Sequence, residues 1–171
     1  MFKNMNIKLK FLKVKSVPKL FWSSPSASTV RPPLISVFIL ILGLFLFGLG
    51  EALLISSGIG VSPWTVFAQG VKNITGWSIG FATFIISIFV MILWVPLRQM
   101  PGFGTIMNII IIALVLDLVL PFLPKFNHLS LKIAEGLIGV IITGLGGALY
   151  LIANLGPGPR DGLMTGIQKV T

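Results

Sequence analysis

The chain has 171 residues, 55% of them hydrophobic and only 10% charged, with a formal net charge of +9. Soluble domains carry about a quarter of their residues as charges, so a water-facing shell can hardly be built at a mean hydropathy of +1.01. A soluble bundle with buried helices is the remote alternative. The absence of cysteine excludes disulfides and thiolate metal sites, and one histidine with four acids leaves little for a metal centre or a nucleophile–base set. No cofactor is implied, and an enzyme is the least supported class.

In chain order, residues 1–33 come first. They hold seven of the thirteen basic residues and no acid, and end in Ser- and Pro-rich sequence. Lysines interrupt the apolar residues, so there is no apolar core of a secretory signal. Such a leader can be an organelle transit peptide, but it reads best as a flexible cytoplasmic tail held on anionic lipid headgroups, at ~1 kcal/mol per basic residue. The basic charge is local to this tail and does not point to nucleic acid. Arg31-Pro32-Pro33 ends the tail, so the first helix is expected from Leu34.

Four apolar blocks follow: Leu34–Ser57, Ile79–Val95, Thr105–Leu120 and Ile133–Ala153, with Glu51, Asp117 and Glu135 as their only charges. About 20 apolar residues cross a bilayer, and Phe122 with Leu123 extends the shortish third block past Pro121. The expectation is an all-α, polytopic integral membrane protein with about four transmembrane helices. Four crossings from an inside N-terminus place ten basic residues inside (the tail, Arg98, Arg160, Lys169) and three outside (Lys72, Lys125, Lys132). That asymmetry favours a cytoplasmic N-terminus.

The sequence is also written twice. "GLGEALLISSGIGVSPWTVFAQGVKNIT" (48–75) and "GLGGALYLIANLGPGPRDGLMTGIQKVT" (144–171) align without gaps at an offset of 96, with nine of 28 positions identical. Each copy runs a spanning helix into a glycine-containing break and restarts a short helix at a proline, Pro63 or Pro159. Ser62 and Gly158 take the cap positions, and proline suits the first helical position. Val66, Phe67, Gly70, Val71 and Ile74 share one face of the first short helix. At about 20 Å it is too short to cross, so both short helices should be interfacial or re-entrant. Three crossings separate the copies, which makes the repeat inverted. Repeat 1 covers about 34–95, a linking helix about 104–123, and repeat 2 about 131–171. The second copy lacks the helix that follows Thr75 in the first, the pattern expected of a C-terminally truncated product.

Small residues recur every seven positions: Ser36, Gly43, Gly50 and Ser57 in the first span, Gly139, Gly146 and Ala153 in the fourth. They predict that these two helices pack closely at the centre. Glu51 lies within the first span and needs a partner, water or a proton, as a coupling-ion site or as half of a structural pair. Asp117 is read the same way, nearer a helix end. Glu135 is expected at the interface. Arg160 at a helix N-terminus suits an anion or lipid phosphate. It is not expected to pair simply with Asp161, which points about 100° away. Trp64 and Trp77 read as interfacial anchors.

Gly60, Pro63 and Trp64 with "TGWSIG", and above all "GPGPRDGLM" (156–164), resemble the signature segments of YczE/YyaS/YitT-type bacterial membrane proteins. The resemblance covers about Leu34 to Thr171 and implies a multi-pass protein of the bacterial inner membrane, with no stated activity. Inverted repeats with Gly/Pro-interrupted helices are an arrangement of secondary transporters. The first expectation is therefore a small transporter or permease-like protein for a small molecule or ion. Its site would lie between the breaks, at Glu51, Gly60, Pro63, Trp64, Gly158, Arg160 and Asp161. The alternative is a membrane scaffold or regulator acting through a protein partner; a homo-oligomer fits either.

Overall fold

The computed structural model describes residues 20–27, 29 and 31–170. Among the described residues the fold is all-helical and multi-pass: α1 Leu34–Ser57, α2 Pro63–Thr75, α3 Ile79–Ile92, α4 Phe103–Val119, α5 Leu129–Ile152 and α6 Pro159–Val170. A 3-10 turn, Leu120–Phe122, carries α4 past Pro121, so Phe103–Phe122 spans as one element. α1 and α5 are the other two continuous spans, and the pair α2 and α3, bent by 112° at its break, is the fourth candidate span. At 14 residues α3 is shorter than its apolar block. About 21 Å of helix is completed by the turns after Ile92.

The centre is the antiparallel seam of α1 and α5, built from the small residues that the sequence spaces every seven. A methyl group added to Gly43 would lie 3.0 Å from the Gly146 carbonyl oxygen, and one on Gly146 only 2.6 Å from that of Gly43. Gly50 and Gly139 face each other in the same way, at 2.8 and 3.0 Å. Gly43 and Gly139 are equivalent positions of the two copies, as are Gly50 and Gly146, each pair 96 apart. Further contacts obey the same exchange. Gly50 abuts the amide of Thr143 while Gly146 abuts that of Phe47, and Gly43 abuts Tyr150 while Gly139 abuts Leu54. Reciprocal contact between equivalent positions is what a two-fold axis produces at an isologous interface. The axis crosses two antiparallel membrane helices, so it lies in the membrane plane. The repeat is inverted.

The breaks after α1 and α5 correspond residue by residue. Each long helix ends at a residue in the left-handed region, Gly58 (φ 65°) and its equivalent Asn154 (φ 55°). Both tolerate that region better than branched or bulky residues. Each short helix then restarts at its proline, and Ser62 accepts from the Thr65 amide at 3.3 Å. The outward face of α2 is apolar (Val66, Phe67, Ile74), whereas Thr65 and Ala68 are buried against the protein. α3 runs from α2 at one end of the bundle to α6 at the other, packed along α4.

Three expectations change. The part of the leader at 20–27 is docked rather than loose. Ser24 donates its amide to the Ala153 carbonyl (2.9 Å), Ser23 its hydroxyl to that of Ile152 (2.7 Å), and Asn154 its side chain to that of Ser24 (2.8 Å). These bonds satisfy backbone carbonyls freed where α5 ends. The basic stretch proposed to bind headgroups falls mainly at 1–19, outside the described residues. Asp117 is a helix-end ligand: it accepts from the Ser78 hydroxyl at 2.6 Å and the Gly80 amide at 2.8 Å at the start of α3. Glu135 is not at an open interface but 6% exposed, with neither oxygen hydrogen-bonded among the described residues.

Gly50→Val and Gly146→Val should each cost about 3 kcal/mol or more by overpacking the seam. Gly144→Ala and Gly70→Ala, which meet open space, should be neutral or stabilising; unfolding in mixed micelles measures both pairs. Glu135→Gln removes a charge from a site without partners and should leave stability unchanged or raised by about 1 kcal/mol or more. A clear loss in the same assay would expose a partner for the carboxylate.

Candidate functional site

Both breaks reach one cavity. It holds about 50 Å³ and is walled by Glu51 and Phe47 of α1, Ser62, Trp64 and Thr65 at the first break, and Gly158, Pro159, Arg160 and Asp161 at the second. Thr83 and Ser87 of α3, Asn108 of α4 and Tyr150 of α5 complete its polar lining. A groove opens at each end of the bundle. One, about 650 Å³, passes Gly60, Val61 and the start of α5 and shares Glu51, Ser62 and Arg160 with the cavity. The other, about 780 Å³, passes Asn154, Gly156, Pro157 and α6 and shares Asp161.

Glu51 is 5% exposed. Its Oε2 accepts from the Thr65 hydroxyl at 2.5 Å and the Ser62 hydroxyl at 3.2 Å. The carboxylate thus meets the N-terminus of α2, where orphan amides and the helix dipole favour negative charge. In the second copy Thr65 is replaced by its equivalent Asp161, which accepts from the Tyr150 hydroxyl. Tyr150 is the equivalent of Leu54, one turn beyond Glu51. Each copy therefore ties its long helix to the third residue of its short helix through a carboxylate–hydroxyl bond. The polarity is reversed between copies: acid on the long helix in the first, acid on the short helix in the second.

The rest of "GPRDG" has local reasons. A side chain at Gly158 would press on the Asn108 amide, 3.0 Å away, and one at Gly162 would collide with the Trp94 ring. Buried Trp94 donates its indole N–H to the Pro159 carbonyl at 3.0 Å. Gly156 (φ 116°) lies against Gly102 and Thr105, at the start of α4. Thr105 donates to the Pro157 carbonyl (2.8 Å), and the Gly104 amide donates to that of Leu155 (2.6 Å). At the first break a methyl group added to Gly58 or Gly60 would meet nothing within 4 Å.

Of the residues singled out from sequence, Glu51, Trp64, Gly158, Arg160 and Asp161 share the cavity wall. Trp64 faces this cavity rather than serving only as an interfacial anchor. Gly60 lies with Arg160 in the groove that passes the start of α5, and Pro63 is exposed at the start of α2 without lining the cavity. Arg160 and Asp161 do pair, Nε to Oδ1 at 3.5 Å. Side-chain length lets the guanidinium swing back across the 100° between them. Sequence reasoning did not single out Thr65, Thr83, Ser87, Asn108 and Tyr150 as site residues, and used Ser62 only as a cap. The repeat alignment pairs Thr65 with Asp161, and Thr83 and Ser87 are polar at helical spacing in an apolar span; both are usable signals. No group of three or more His, Cys, Asp or Glu suited to a metal exists among the described residues.

Breaking the ties separates their contributions. Tyr150→Phe and Thr65→Val should each cost about 1–3 kcal/mol, the loss of one hydrogen bond to a carboxylate. In a double-mutant cycle, Glu51→Gln should couple to Thr65→Val and act additively with Tyr150→Phe.

Comparison with known proteins places this architecture. A family profile described as a family of unknown function (DUF6198) matches residues 34–171. A protein of Haemophilus influenzae, named only as uncharacterized, is 43% identical over 155 residues, 91% of this chain and 70% of its own length. The uncharacterized membrane protein YczE of Bacillus subtilis is 30% identical over 131 residues, 75% of this chain. The chain spans 61% of the length of that second relative. No solved structure matches. With the profile covering every span and both Gly-Pro breaks, the chain belongs to the DUF6198 family of YczE-type integral membrane proteins.

Proposed function

We propose that this protein is a small secondary transporter or permease whose site is the cavity between the two breaks. The observation that carries the reading is the meeting of the breaks. Two interrupted helices, entering from opposite ends of an inverted repeat, bring charged side chains to one polar chamber with a groove at either end. That is the geometry alternating access requires: a central site that two symmetry-related halves expose to one side or the other. Irregular backbone at membrane depth is tolerated where it is buried in protein or lines a wet space, and both breaks meet that condition. The same reading assigns the protein to the bacterial inner membrane with its N-terminus in the cytoplasm. Its support is the ten-to-three distribution of basic residues and the bacterial relatives.

The chain has no cysteine, so single-cysteine variants report cleanly. Gly60→Cys and Thr165→Cys line the two opposite grooves. In sealed vesicles each should react with a membrane-impermeant thiol reagent from a different face, and a transported solute should change both rates reciprocally. Labelling from one face only, or rates that no solute alters while a membrane protein co-purifies, would favour the scaffold reading instead. Reporter fusions after Thr75 and after Thr171 should fall in opposite compartments.

A further inference from the structure

We propose that the central cavity binds a small monovalent cation, with the Glu51 carboxylate as its counter-charge. The proposal names the ligand class for the transport site and rests on that reading only for the choice of site. Three observations converge on it.

The first is hydrogen-bond polarity. Five hydroxyls line the cavity, and each donates its proton to a protein acceptor. Ser62 and Thr65 donate to Glu51, Tyr150 to Asp161, Thr83 to the Ile79 carbonyl and Ser87 to the Thr83 carbonyl. A hydroxyl has one donor and two acceptor lone pairs, so these oxygens keep acceptor capacity beside the chamber, although Ser62 already spends part of its own on the Thr65 amide. With the Glu51 carboxylate, these hydroxyls make the side of the chamber away from Arg160 rich in hard oxygen acceptors, which suits a cation or another donor.

The second is charge. The charged groups facing the cavity are Glu51, Arg160 and Asp161. Arg160 and Asp161 pair with each other, which leaves one formal negative charge, that of the buried Glu51 carboxylate, lessened by the N-termini of α2 and α6. No second free carboxylate faces the site, whereas calcium takes 6–8 oxygens, commonly several from carboxylates; one net charge matches a monovalent ion. The third is size. A cavity of about 50 Å³ has room for only a few waters, each needing roughly 10–15 Å³. It is far below the roughly 300 Å³ minimum for a drug-sized ligand. A largely dehydrated ion fits; an organic solute does not fit in this conformation.

The test uses the full chain in nanodiscs and follows thermal unfolding by tryptophan fluorescence. NaCl, KCl and choline chloride are titrated at constant ionic strength and pH. Sodium or potassium should raise the midpoint saturably by about 5 °C or more, and choline should not. Glu51→Gln should abolish the response. The pair Thr83→Val and Ser87→Ala should weaken apparent affinity roughly tenfold, the loss of about one hydrogen bond's worth of binding. That pair does not touch the start of α2, so it decides the matter even where Glu51→Gln fails to fold. Equal midpoints in all three salts would overturn the proposal. So would a response that survives both sets of substitutions, or one that follows pH alone in choline, which would make the occupant a proton. Binding without flux in vesicles would sink the transport reading and leave the cation site standing.

Discussion

The rest of the molecule depends on the approach of the α1 and α5 backbones. Between membrane helices lipid removes the usual hydrophobic drive, so association rests on van der Waals contact and interhelical hydrogen bonds. Four glycines at Gly43, Gly50, Gly139 and Gly146 bring main chain against main chain over two helical turns. Because they are paired across equivalent positions, the seam fixes register as well as distance. An antiparallel, symmetric register sends the C-terminal ends of the two long helices to opposite ends of the bundle. Each copy then continues with a short helix that folds back toward the middle, α2 or α6. The shared cavity is a consequence of that seam.

Folding back exposes helix N-termini in an apolar medium, and the four acids of this chain are used almost entirely to answer that problem. Glu51 serves α2 through Ser62 and Thr65, Asp117 serves α3 through Ser78 and Gly80, and Asp161 lies in the first turn of α6. Orphan amides and the helix dipole make each of these a favourable place for negative charge, which tempers the cost of carrying it at depth. Glu135 is the exception, in the second turn of α5 and with no hydrogen-bond partner for either oxygen among the described residues. Nothing in the structure explains its presence.

Much of this was legible in the sequence, because the signals were periodic. Apolar block lengths set the spans, the seven-residue spacing of small residues set the seam, and the gapless offset of 96 set the inverted repeat. Proline at equivalent positions located both breaks. The cavity wall was less legible for a definite reason. Thr83, Ser87 and Asn108 come from α3 and α4, which have no counterpart in the aligned segments, so the repeat gives no hint that they converge on the breaks. Tyr150 was hidden by substitution: its equivalent is Leu54, and the tie it makes is made in the first copy from Glu51, one turn earlier. Asp117 looked functional because an acid in an apolar span is conspicuous. Its helix-end role depends on α3 starting beside the last turn of α4, which only tertiary structure reveals.

The symmetry of the scaffold is not matched by its fastenings. The second break is held by the Gly104 amide and the Thr105 hydroxyl of α4 donating to the Leu155 and Pro157 carbonyls, by Trp94 on Pro159, and by the docked segment at 20–27 bonding Asn154 and Ala153. At the first break a methyl group added to Gly58 or Gly60 would meet nothing within 4 Å, and the short helix is held by packing of Ala68, Trp64 and Val71 and by hydroxyls on Glu51. Regions with few buried contacts open at the lowest free energy. Moving α2 gives up two hydroxyl bonds to one carboxylate together with its packing on α3, whereas moving α6 disrupts hydrogen bonds that reach three other elements. An occupant that neutralises Glu51 weakens the attraction that holds α2 in place. The ligand charge and the looser end of the bundle are therefore coupled through a single side chain.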